Sequence, residues 1–144
     1  MENTTPILAI TGNPNDQARL VKALHQHGII VTGLFTLFAC VAQAYLDSQL
    51  QDIGLPPTHI LIDLDMGYQP AIDIVSVLQQ HTLTAQVPII VYSQYGSDCL
   101  LELLDAQGVT AYIHRTTYTS LAEDLHAFLE NYSRTWASKP LRAA

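Results

Sequence analysis

The chain has 144 residues with 7 glycines and 7 prolines, the length of one ordinary domain and a composition unlike that of disordered or fibrous chains. Apolar residues make up 49% and charged residues 13%, enough for a core that takes roughly two-thirds of the unfolded surface out of water without disulfide staples. The formal net charge is −7, and no basic residue falls between Lys22 and Arg115 while eight acids lie between Asp47 and Asp105, which argues against nucleic acid or anionic lipid as partners.

From Met1 to Pro6 there is no basic region followed by a small-residue cleavage site, so a cytoplasmic location is expected. The first apolar run, Ile7 to Ile10, reads as a buried strand. Asn13 can cap a helix with Pro14 at its first position and Asp16 in its first turn, Ala18, Leu20, Val21 and Leu24 give it helical spacing, and Gly28 closes it. Residues 28 to 46 carry no charge over nearly the length of a membrane span. Thr32, Gly33 and Thr36 divide the run into a short β-branched segment, Ile29 to Leu34, with a strand at Ile29 to Val31, and a separate helical one from Thr36 onward, marked by Ala39, Cys40 and Ala44, so no span is expected. Cys40 and Cys99 lack C-x-x-C spacing and are expected to be small buried thiols.

Gly54, Pro56 and Pro57 mark a loop before a third strand at Ile60 to Leu64. Ile72, Val75 and Leu78 then repeat at helical intervals, Ile89 to Tyr92 reads as a strand, and Leu100, Leu103 and Leu104 return to helical spacing up to Gly108. Ala111 to Ile113 is the fifth strand, and Leu121, Leu125 and Phe128 mark the last helix. Residues 1–133 make one domain on this reading, and 134–144, with Arg134, Lys139 and Arg142, a short basic tail without assigned function. Strand and helix alternate five times, which specifies an α/β fold with a doubly wound parallel sheet. The six histidines show no metal-ligand spacing and read as solvated surface.

In such a sheet, chemistry gathers at the carboxyl ends of the strands, here Thr11 and Gly12, Asp63, Ser93 and Arg115. The segments Thr58 to Gly67 (THILIDLDMG), Val87 to Gly96 (VPIIVYSQYG) and Gly108 to Thr116 (GVTAYIHRT) resemble, in order, the third, fourth and fifth strands of the receiver domain of two-component response regulators. The resemblance runs from about Ile7 to Tyr132 and implies a CheY-like, flavodoxin-like sheet of order 2-1-3-4-5. It places Asp63 at the phosphoacceptor position, Ser93 and Tyr112 at the switch, and Arg115 where the family has a lysine. Protein partners in a signalling pathway are implied, a histidine kinase or a second copy of the chain.

The departures bear on the chemistry. Thr11 and Gly12 stand where the family's first strand ends in two acids that hold magnesium. Moving a phosphoryl group onto a carboxylate brings like charges together, and the metal ion offsets them. Without those acids only Asp63, helped by Asp65, remains to hold an ion that prefers octahedral oxygen coordination, so no metal or other cofactor is expected. Arg115 is expected to act as a charge clamp, gripping Asp63 with two parallel hydrogen bonds. Gln94 is expected to crowd the pocket, and Gly67 and Thr116, in place of two prolines, to loosen its loops.

In the receiver register Ala39 and Cys40 face inward while Leu34, Phe35, Leu37 and Phe38 face outward, an apolar surface for a partner. Neither a G-x-S-x-G elbow nor a Gly-rich phosphate loop is present, so an ordinary enzyme is not expected. The leading expectation is a degenerate, phosphorylation-independent receiver that works by binding protein. Its alternatives are a working phosphoacceptor at Asp63, with magnesium, and a small-ligand domain of flavodoxin type.

Overall fold

The structure, a computed structural model, describes residues 5–33, 36, 38–53 and 57–134, the side chains of 49–53 and 132–134 excepted. In chain order it has β1 (Thr5–Ile10), α1 (Pro14–His25), β2 (Ile29–Val31), α2 (Ala39–Ile53), β3 (His59–Asp63), a 3-10 turn (Leu64–Met66), α3 (Tyr68–Gln80), β4 (Ile89–Ser93), α4 (Asp98–Ala106), β5 (Ala111–His114) and α5 (Tyr118–Arg134). The strands form one parallel sheet in the order β2-β1-β3-β4-β5. This is the doubly wound parallel sheet that the alternation of elements predicts, in the strand order that the resemblance implies.

The inner strands β1, β3 and β4 are buried on both faces because the sheet lies between two helical layers, while Ile30 of the edge strand β2 is exposed. Leu8, Ile10, Ile60, Ile62, Ile89, Val91 and Tyr112 meet Ala42 and Leu46 of α2, Ala71, Ile74, Val75 and Leu78 of α3, and Leu104 of α4. The alternate residues Ile7, Ala9, Leu61, Ile90, Tyr92, Ala111 and Ile113 meet Leu20 and Leu24 of α1 and Leu121, Ala122 and Leu125 of α5. Burying one such aliphatic side chain contributes roughly 1.5–3 kcal/mol, so continuous apolar runs are stable only as central strands of this kind.

The helix signals work as expected at α1, where Asn13 Oδ1 accepts from the Asn15 N–H at 2.9 Å and Pro14 opens the helix. Gly28 and Gly108 adopt φ of 75° and 83°, the left-handed geometry that ends a helix. The uncharged run 28–46 is divided among β2, the connection after it and the first half of α2, and no helix among the described residues is long and apolar enough to cross a membrane. Helix α5 continues through Arg134, and 135–144 of the basic tail lie outside the described residues.

Several expectations need correction. Cys40 and Cys99 are exposed, because α2 turns Ala42 and Leu46 to the sheet and α4 turns Leu104, leaving the thiols on the outer side of each helix. Ala18 and Ala44 are likewise exposed, and Leu103 is 47% exposed. Strand β3 ends at Asp63 rather than Leu64, because the Asp63 side chain accepts from the Asp65 N–H and starts the 3-10 turn. His59 is buried, not solvated, since its place on β3 turns it into the foot of the sheet.

Candidate functional site

All strands run the same way, so their carboxyl ends bring Thr11, Asp63, Ser93 and Arg115 to one rim of the sheet. A cleft of about 380 Å³ opens there, lined by Gly12, Asn13, Asp16, Asp63, Asp65, Met66, Gln94 and Arg115. Asp16 is a third carboxylate at this cleft that the sequence marks only as a first-turn helix residue.

Asp63 is 5% exposed, and donors serve both of its oxygens. Oδ1 accepts from the Asp65 N–H at 2.8 Å, and Oδ2 accepts from the Thr11 hydroxyl at 3.1 Å. Burial pushes its carboxyl above the usual range and the charge of Asp65 adds to this, against the two hydrogen bonds and the more distant charge of Arg115. Tyr92, its neighbour across β3 and β4, is fully buried, and burial followed by the Asp63 charge pushes its phenol well above the ordinary value.

Asp65, not Asp63, faces Arg115. Its Oδ1 accepts from Ser93 Oγ at 2.9 Å and its Oδ2 from the Gln94 N–H at 3.0 Å, while Arg115 Nη2 stands 3.9 Å from Oδ2. The expected two-pronged grip of Arg115 on Asp63 is therefore absent. The 3-10 turn swings Asp65 across the end of β4 into the guanidinium's reach, and the guanidinium also lies 4.4 Å above the centre of the Tyr118 ring. Burial raises the Tyr118 phenol to about 12 although the Arg115 charge opposes it.

Tyr112 points inward, 3% exposed, and donates from its hydroxyl to the Ser93 carbonyl at 3.2 Å. That carbonyl also accepts from the Arg115 N–H at 2.8 Å. Tyr112 is thus joined to the switch hydroxyl's own residue through the Ser93 carbonyl. Gln94 is exposed, and its backbone N–H, not its side-chain bulk, is what engages Asp65. Gly67 has φ of 121°, which proline's ring forbids, so this position needs glycine's freedom instead of merely losing a proline's stiffness. Of the apolar surface, Leu34, Phe35 and Leu37 lie outside the described residues, while Phe38 is 63% exposed just before α2.

The donors present fit magnesium poorly. Asp63 Oδ2 already accepts from the Thr11 hydroxyl, and its Oδ1 from the Asp65 N–H. Gly12 has no side chain to offer, and both Asp65 oxygens already accept from N–H or O–H groups. Among the described residues no three His, Cys, Asp or Glu side chains are placed to share one metal ion.

Because the folded state holds the Asp63 proton more tightly than the unfolded chain does, this group's contribution to stability falls as pH rises from the ordinary 3.8 through the raised value. Asp63→Asn is expected to lack this descending limb and to be at least as stable as the parent at neutral pH, as read by urea unfolding across pH. A loss of more than about 1 kcal/mol at neutral pH would instead show that the carboxylate's hydrogen bonds outweigh its burial.

Sheet order, register and the grouping of side chains at one rim define a receiver-type fold. The structure is similar to that of a response regulator in red light signalling of R. palustris, with a TM-score of 0.69 and 20% identity over 94% of this chain and 98% of that one. It is similar also to a phosphorylated cyanobacterial phytochrome response regulator, with a TM-score of 0.67 and 17% identity over 94% of this chain and 98% of that one. A chemotaxis response regulator of Vibrio cholerae matches with a TM-score of 0.65 and 14% identity over 92% of this chain and 98% of that one. No family model and no curated protein matches the sequence. At these identities the likeness is one of fold.

Proposed function

We propose that the chain is a receiver-like signalling module of the cytoplasm that acts by binding protein partners and does not depend on phosphorylation of Asp63. On this reading it is not an enzyme and uses no magnesium or other cofactor; its partners are proteins of a signalling pathway, a histidine kinase or a second copy of the chain among them. The observation that carries the reading is the Thr11 hydroxyl donating to Asp63 Oδ2 at 3.1 Å, a neutral proton donor on a carboxylate whose phosphorylation calls for a divalent cation.

The alternative is a working phosphoacceptor, favoured by the gathering of Asp63, Ser93 and Arg115 at one rim. In that case an Asp63 oxygen attacks phosphorus and the donor's acyl or imidazole group leaves. Intact-mass measurement after incubation with acetyl phosphate and magnesium chloride separates the two readings. No gain of a phosphoryl group is expected; a stoichiometric, hydroxylamine-labile acyl phosphate on Asp63 would overturn the proposal.

A further inference from the structure

Two hydrogen-bond donors and one cation from two strand ends converge on one side chain. A hydroxyl from Ser93, a backbone N–H from Gln94 and the guanidinium of Arg115 surround the two oxygens of Asp65 at 2.9, 3.0 and 3.9 Å. Such a set is what an oxyanion requires: charge-assisted hydrogen bonds from fixed donors with a cation behind them. The side chains of Arg115 and Asp65 are only 12% and 23% exposed, so water screens the pair incompletely. Asp63 lies outside this set, since its own donors are Thr11 and the Asp65 N–H.

The arrangement reaches beyond the carboxylate. The Ser93 hydroxyl accepts from the Tyr95 N–H at 2.8 Å, so residues 93 to 95 are tied to Asp65 at both Ser93 and Gln94. The next residue is Gly96, whose backbone stands so close to Tyr112 that a Cβ there would lie 2.5 Å from the phenol oxygen. Where that backbone stands therefore decides whether the ring fits inward with its hydroxyl on the Ser93 carbonyl.

We propose that the Asp65 carboxylate is the resident anion of an oxyanion site built from Ser93, Gln94 and Arg115, and that it holds the β4 to α4 connection in one arrangement with Tyr112 inward. This deepens the function proposed above and rests on it, because a site filled from within has no need of a phosphoryl group. Its chemistry also defines the ligand that the emptied site would take: a small tetrahedral or planar oxyanion, with inorganic phosphate as the natural probe.

The test compares the parent chain with Asp65→Ala by amide hydrogen exchange and NMR, with and without inorganic phosphate. Losing a hydrogen bond to a charged acceptor should speed exchange of the Gln94 amide by about tenfold or more and shift the Tyr112 ring signals. Phosphate should slow that exchange again in Asp65→Ala and leave the parent unchanged. Should Asp65→Ala not fold, the isosteric Asp65→Asn keeps an acceptor but loses the charge facing Arg115, and its Gln94 amide should still exchange faster than the parent's. Unchanged Gln94 protection and unchanged Tyr112 signals in the variants would overturn the proposal, as would phosphate acting equally on both proteins. These outcomes are independent of the mass measurement: an acyl phosphate on parent Asp63 would remove the phosphorylation-independent function, while an unaltered connection in the Asp65 variants would remove only the resident anion.

Discussion

Gly96→Ala is expected to force the Tyr112 ring from its inward position at a cost of about 1–3 kcal/mol in folding stability. The added Cβ would stand 2.5 Å from the phenol oxygen, 2.9 Å from Cζ and 3.0 Å from Cε2, the first two closer than a Cβ tolerates. Retreat inward is closed, because Tyr112 belongs to the core cluster that includes Val91, Leu104 and Val109. Either the ring leaves, giving up the hydrogen bond to the Ser93 carbonyl, or the backbone at 96 moves and strains the Gln94 and Tyr95 contacts behind it. Urea unfolding of a double-mutant cycle with Tyr112→Leu isolates the clash. The alanine should cost much less once the tyrosine is gone; an equal cost in both backgrounds would mean that the ring is not what glycine accommodates.

The second large effect is at the opposite end of the sheet. His59, 7% exposed on β3, has its imidazole pushed down by burial from 6.5 to about 4. The unfolded chain therefore takes up a proton at this residue as pH falls through 6.5, while the folded state resists until about 4. The stability that His59 contributes is complete above the unfolded value and is lost through this window, by about 3 kcal/mol at 1.36 kcal/mol per unit. Unfolding free energies of the parent and of His59→Leu, measured at intervals down the acid side, should diverge below pH 6.5. Parallel curves would show that the imidazole is hydrated in the folded state.

What the sequence discloses of the fold follows from how the sheet is buried. Ile60 to Ile62 and Ile89 to Val91 stand out because strands covered on both faces admit no polar alternation. Helix α2 is less legible: its first four residues, Ala39 to Ala42, are small or apolar all round, so the phase of its inward side cannot be read, and Cys40, expected inward, is exposed while Ala42 is buried.

At the site, the positions Thr11, Asp63, Ser93, Tyr112 and Arg115 are visible as strand ends, yet the partner of Arg115 is not. Two acids two residues apart invite a strand reading in which both share a face. Instead, Asp63 uses its own side chain to turn the backbone, and that turn delivers Asp65 to Ser93, Gln94 and Arg115. A backbone N–H such as that of Gln94 leaves no compositional trace, and the clearance between Gly96 and Tyr112 depends on a tertiary approach between residues 16 positions apart.

The strand order has a consequence for self-association. Its two outermost strands, β2 and β5, are three and four residues long, so the lateral margins of the sheet present only a brief row of unpaired amides and carbonyls. Margins that short are poor templates for strand addition. A second copy of the chain would therefore be met by a helical layer rather than by extending the ladder, and stable pairing would bury helix side chains instead of joining two sheets into one.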